Sequence, residues 1–209
     1  MTTTRASERP PTPEPLLDDL VPRPDATAAV TVMVDAPADT TFRCMKSIDF
    51  AEMPRSDPLM GWLIAARALP DRVARMIRGE KPGPPMAEAG ARLGDMTEGP
   101  DEWIRLGETP GQEVAFGAIG RFMGAQVNWR RSVAPEFGTF DEPGYVKVAA
   151  ALSVRPYGGR RCLLTYDCRS SATDDSARAA FKRYWRLVSP GIKLVLWRAA
   201  VAIKRAAED

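Results

Sequence analysis

The sequence predicts an α+β fold: a curved antiparallel sheet of about seven strands wrapped around a long C-terminal helix, with two or three short helices after the first strand. Three observations carry this. Residues 146–155 set Val146, Val148, Ala150, Leu152 and Val154 against Lys147, Ser153 and Arg155, the period-two pattern of a strand with one apolar face and one wet face. Shorter runs of the same kind flank it, separated by Pro-Gly and Gly-Gly turns. From about residue 174 the apolar side chains fall at helical spacing instead, and a curved sheet needs one long element to cover its apolar side.

Six of the 19 prolines lie in the first 24 residues, so residues 1–26 read as an irregular, proline-rich N-terminal arm whose Leu16, Leu17, Leu20 and Val21 dock on a domain spanning residues 27–209. Val30, Val32 and Val34 then alternate with Thr31 and Met33, a half-buried strand. It stops at Asp35-Ala36-Pro37. Proline at a first helical position, followed by Phe42, Met45 and Ile48, predicts a short amphipathic helix. Asp57-Pro58 starts another, with Leu59, Trp62, Leu63, Ala66 and Leu69 at helical spacing, and Pro70 opens a further turn or two ended by Gly79. Arg67, Arg72, Arg75 and Arg78 on this stretch are read as a solvated helix face rather than an anion site, because acidic residues elsewhere balance them.

The middle of the chain reads as a meander: Trp103–Leu106, a type II turn at Glu108-Thr-Pro-Gly111, Glu113–Phe122, Ala125–Val133 and a short strand over Phe137–Phe140. Pro143-Gly144 turns into the 146–155 strand. Tyr157-Gly158-Gly159 turns back into Arg161–Arg169, where Cys162, Leu164, Tyr166 and Cys168 share the inner face. Thr173 or Asp174 can cap the last helix, whose first stripe is Ala177, Phe181, Tyr184, Trp185 and Val188. Ser189-Pro190-Gly191 is expected to kink or restart it, since proline lacks the backbone donor and clashes with the preceding turn. The second half runs to about Ala207 with Ile192, Val195, Leu196, Ala199 and Ile203 on one side.

Composition excludes whole classes of chemistry. No histidine occurs among the 209 residues, which removes Ser-His-Asp and Cys-His catalysis, His-ligated metals and haem on a proximal His. A net charge of +2 is too small for a nucleic-acid binder unless the basic residues cluster. Cys44, Cys162 and Cys168 have no CxxC spacing and read as reduced thiols. The first fifteen residues hold no apolar core of a secretory signal, so the chain is expected to be cytoplasmic. Lys193 and Arg198 interrupt the most apolar run, so no stretch reaches the ~18 apolar residues of a spanning helix.

Several motifs fall in an order that resembles one superfamily. These are Val34-Asp35-Ala36-Pro37-Ala38, Gly117-Ala-Ile-Gly120-Arg-Phe, Phe140-Asp-Glu-Pro-Gly144, and Phe181-x-x-Tyr184-Trp185 followed by Ser189-Pro190-Gly191. With the β-α-α-β6-α order, residues 28 to 207 resemble the START/Bet v 1-like (SRPBCC, helix-grip) superfamily, in particular an actinobacterial-type subgroup of it. The resemblance implies a deep, largely apolar cavity between sheet and terminal helix that holds a lipid, a sterol or terpenoid, or a polyketide-like molecule. It implies no one chemistry, because members include carriers, sensors, cyclases and hydroxylase domains. The absent histidine removes the iron-sulfur and iron-dependent hydroxylase members.

The expected function is therefore binding or carriage of a small hydrophobic ligand, without cofactor or metal. The cavity residues would be Trp103, Phe116, Trp129, Val148, Leu152, Leu164, Tyr166, Phe181, Tyr184 and Trp185, and the 57–79 helices and the terminal helix would gate it. Expected partners are the small molecule alone, with no nucleic acid and no stable membrane insertion, in a monomer or homodimer. The alternatives are a polyketide cyclase-like enzyme that positions a ketone with Tyr166 or an arginine, and a protein-interaction module recruiting through the arm or the last helix.

Other constellations have plainer readings. Gly117, Gly120 and Gly124 sit within strand-like sequence, where a phosphate loop does not belong, and are expected to mark bulges or bends of a curved sheet. Arg105, Arg121, Arg130 and Arg131 interleave with Trp103, Phe122 and Trp129; they read as outer-face residues, with one arginine at the cavity mouth as a rival reading. Asp141-Glu142 and Asp174-Asp175 fall where turns and caps want acids, and no residue is assigned a catalytic role. Lys193, Arg198, Lys204 and Arg205 on an apolar helix suit an anionic membrane surface, but the apolar side is assigned to closing the sheet.

Overall fold

The computed structural model describes residues 14–49, 92–123 and 126–209. In chain order these form α1 (Leu16–Leu20), β1 (Ala26–Val34), α2 (Ala38–Ser47), a 3-10 turn (Leu93–Asp95), β2 (Ile104–Thr109), β3 (Glu113–Met123) and β4 (Gln126–Arg130). Then come α3 (Ala134–Phe137), β5 (Val146–Tyr157), β6 (Arg161–Ala172) and α4 (Asp175–Glu208). The helices expected over 57–79 lie outside the described residues, as does Gly124.

The strands make one open antiparallel sheet in the order β1-β6-β5-β3-β2, with β4 also paired to β3. Among the described residues it has six strands, where about seven were expected. The Phe137–Phe140 strand is not one of them: Ala134–Phe137 is a single helical turn with Pro135 in its first positions, and Phe137 is fully buried. Phe137, Thr139 and Phe140 matched strand propensity, but a proline-opened turn drops the Phe137 ring into a core instead. β2 and β4 lie end to end along the edge of β3 away from β5. β2 pairs with Glu113–Gly117 and β4 with Ile119–Met123.

Three of the turn glycines predicted from sequence take positive φ, Gly111 at 75°, Gly144 at 88° and Gly158 at 69°, a region that glycine enters without the Cβ penalty. The strand glycines work differently from the expectation. Pairing of β3 with β5 runs without a shift from Glu113 to Gly120, and the bulge lies on β2 between Arg105 and Gly107. Gly117 and Gly120 are close-approach positions instead. A Cβ on Gly117 would stand 2.6 Å from the Val148 carbonyl oxygen, and one on Gly120 would stand 2.8 Å from the Trp129 indole.

Alternation sends Val114, Phe116 and Phe122 of β3 and Ala150, Leu152 and Val154 of β5 to one side of the sheet, with Cys162, Leu164 and Tyr166 of β6. α2 and α4 cover this inner side. The C-terminal half of α4 brings Leu196, Ala199, Ala200 and Ile203 against Val34, Phe42 and Met45. Its N-terminal half brings Ala177, Phe181 and Tyr184 against Phe122, Val146 and Ala172.

The outer side is not uniformly wet. Leu17 and Val21, each 1% exposed, pack with Phe137 on Ala115, Ile119, Ala149 and Ala151, so α1 and α3 build a second small core there. Small alanines on β5 make room for these side chains, each contributing about 1.5–3 kcal/mol of burial.

α4 runs unbroken through Pro190, contrary to the expected restart. The proline deprives the Arg186 carbonyl of its helical partner, a cost of about 3 kcal/mol in a helix interior. Both residues are exposed, so the break in the ladder lies on the solvent side of the helix. The stripes on either side are held to the same sheet, and their burial outweighs the lost bond. Asp174 is the N-cap, its carboxylate accepting the Ala177 N–H at 2.9 Å.

Candidate functional site

The inner face carries a continuous tract of aromatic rings. Tyr166 of β6 meets Phe116 of β3 with centroids 6.2 Å apart, and Phe116 meets Trp103, just before β2, at 6.2 Å. Trp103 meets Trp129 of β4 at 5.4 Å, and Trp129 meets Phe122 of β3 at 6.0 Å. Phe122 then contacts Phe181 and Tyr184 of α4, both at 5.0 Å, and Phe181 reaches Trp185 at 5.7 Å. All pairs are tilted or edge-on, the geometry that ring quadrupoles prefer.

Seven of the ten residues singled out from the sequence stand in this tract. Leu152 and Leu164 are fully buried beside it in the packing of α2 and α4, and Val148 is half-buried near Phe122. The three tryptophans, Trp103, Trp129 and Trp185, are only half-buried, so the tract keeps aromatic surface. Trp185 packs against both halves of the inner core. Phe122 was not singled out and proves central; the signal was its position six residues after Phe116, on the same face at period two.

Polar groups on this side are few. Burial holds the Tyr166 phenol well above its ordinary value, so the hydroxyl keeps its proton. Desolvation likewise pushes the Cys168 thiol up to about 12, which keeps it neutral and non-nucleophilic. The buried Cys162 thiol is also raised and lies 3.2 Å from the Thr41 hydroxyl, while all three cysteines are free. At the β2 rim, Lys46 of α2 donates to both oxygens of Glu108 at 2.8 and 3.0 Å, with Arg105 3.8 Å from the same carboxylate. Arg105 is the cross-strand partner of Phe116. Of the four arginines weighed from the sequence, it is therefore the one beside the tract.

Arg121 and Arg130 belong to the other side. Both pair with Glu142, and their guanidinium groups lie 4.3 Å from the Tyr145 ring and 5.0 Å from the Phe140 ring. Arg121 and Arg130 thus face away from Trp103, Phe122 and Trp129, which breaks up the interleaved platform suggested by their order in sequence. A shallow depression near the 109–112 turn, lined by Thr109, Gln112, Glu113, Ser153, Val154 and Arg155, is polar. Among the described residues no three acidic or thiol side chains are grouped to hold a metal ion. The same residues include no helix long and apolar enough to cross a membrane.

The sequence matches no family model and no curated protein. Among solved structures it is similar to the hypothetical protein jhp0584 from Helicobacter pylori, at 15% identity over 100% of this chain and 99% of that one. The TM-score is 0.35, a likeness that fixes neither fold nor function.

Proposed function

We propose that this chain binds a small hydrophobic molecule against the aromatic tract between the sheet and α4, as a START/Bet v 1-like, helix-grip protein would. The observation that carries the reading is the run of ring contacts from Tyr166 to Trp185, in which three tryptophans keep part of their surface. Binding sites for apolar ligands combine such lining with a few oriented polar groups. Here the polar groups are the protonated Tyr166 hydroxyl and the Lys46–Glu108–Arg105 cluster at the rim. The Tyr166 hydroxyl keeps its proton and so is not poised as a general base, which supports holding a molecule over transforming one.

The test is extraction of the purified protein with organic solvent and mass spectrometry of the extract, followed by thermal shift with a lipid and terpenoid library. A stoichiometric apolar compound, or a library member that raises Tm in the wild type and not in Trp103→Ala or Trp129→Ala, supports the reading. An empty extract with no shift across the library overturns it.

A further inference from the structure

α4 has a second apolar face. Its core-facing stripe runs through Phe181, Tyr184, Leu196, Ala199 and Ile203, all buried. On the opposite side, Leu187, Pro190, Leu194, Trp197 and Val201 follow one another at spacings of three and four residues, which keeps them in one row. The row is about 21 Å long at 1.5 Å rise per residue. Leu187 is 74% exposed and Trp197 45%, two of the few large apolar side chains that the described residues leave in solvent; Pro190 between them is exposed, and Leu194 and Val201 are half-buried. A helix covering a sheet needs only one apolar stripe.

Charge selects what would cover the second. α4 holds eight basic side chains and two acidic ones, whereas the chain as a whole holds 29 and 27. The helix is cationic and the rest of the protein anionic. Lys182, Arg183, Arg186, Lys193 and Arg205 are all exposed around the apolar row. Two copies of such a face would bring like charges together, which disfavours a dimer built on it. The row is also a convex ridge rather than a groove, so it offers an acidic peptide no pocket for its side chains. A plane that is apolar in depth and anionic at its surface matches both the ridge and its cations, with tryptophan at the boundary.

We propose that the outward row of α4 is a docking surface for an anionic lipid bilayer, on which the helix lies in the plane of the interface without crossing it. The surface faces away from the aromatic tract and does not depend on whether a molecule is held there.

Flotation of the full chain with vesicles of phosphatidylcholine, alone or with about one third phosphatidylglycerol, tests this at low and physiological salt. The expected result is association with the anionic vesicles only, weakened by salt. It should fall more than about tenfold in Leu187→Glu/Trp197→Glu and in Arg183→Glu/Arg186→Glu/Lys193→Glu, with circular dichroism showing that each variant keeps its fold. Equal binding to neutral vesicles, no binding at low salt, or binding indifferent to Leu187→Glu/Trp197→Glu would each overturn it. So would a dimer that the apolar double variant dissolves while vesicle binding is absent, or capture of an acidic helical peptide in place of vesicles.

Discussion

The rings of Phe122 and Phe181 meet edge to face, centroids 5.0 Å apart at 77°, and join the sheet to the long helix at the end of the aromatic tract. Phe181 is 1% exposed and Phe122 8%. Truncation there removes a large buried ring and leaves a cavity between elements that cannot collapse independently. Phe122→Ala is expected to cost about 3–5 kcal/mol in urea unfolding, and Phe122→Leu much less. A loss below about 1 kcal/mol for the alanine variant would mean that sheet and helix are not joined there.

A methyl group at Gly117 has nowhere to go. The nearest atom is the Val148 carbonyl oxygen, fixed in the pairing of β3 with β5, and the Leu106 side chain is 2.8 Å away. Gly117→Ala is expected to destabilise by about 3 kcal/mol, at the upper end for overpacking because a backbone atom is struck. Gly159→Ala, which meets nothing within 4 Å, is the control and is expected to be neutral. Equal melting temperatures for the two variants would refute the close approach.

Glu113 ties α1 to the outer side of the sheet, accepting the Leu16 N–H at 3.1 Å. Desolvation pushes its carboxyl above the ordinary value despite that bond and the nearby Arg155. The folded state therefore binds this proton more tightly than the unfolded chain does. The stability this contributes is complete below the unfolded value and is lost as pH rises through the raised folded one. Relative to Glu113→Gln, the wild type should lose stability as pH rises above the ordinary carboxylate value and through the raised folded one. Denaturation midpoints that keep a constant offset over this range would contradict it.

Asp174 shows the opposite sign. Its carboxylate accepts the Ala177 N–H and also the Gly144 N–H, and these bonds hold it below the ordinary carboxylate value. Its contribution is present above the unfolded value and lost as pH falls through the depressed one. Asp174→Ala should lower Tm by a few degrees at neutral pH, through the lost cap and the lost link to the 143–144 turn, and the gap should narrow in acid. Melting curves of the pair at pH 7 and pH 2 check this; an unchanged gap would show that the charge is not what the cap uses.

Much of the fold was legible because strand alternation, turn glycines and helix caps are local. Val146 to Val154 could be placed on one face from period two alone, Gly111 and Gly144 follow proline where positive φ is required, and Asp174 lies at the start of an apolar helical stripe. Strand alternation placed Tyr166 on the inner face and helical spacing placed Phe181, Tyr184 and Trp185 on one stripe, while Phe122 was passed over because its own face of β3 was not followed.

Tertiary structure decided what depends on partners far away in the chain. Ala149 and Ala151 look merely small in sequence; they are buried because Leu17 and Val21 arrive more than a hundred residues earlier to cover them. Pro190 signals a break, yet α4 continues because the sheet holds both of its halves. Phe137–Phe140 carries strand-like residues, but one ring was wanted in the outer core and the backbone turned to deliver it. The second row on α4 became visible only once the first was seen to be spent on the sheet, since a helical sequence shows its apolar positions and the packing alone shows which remain in water.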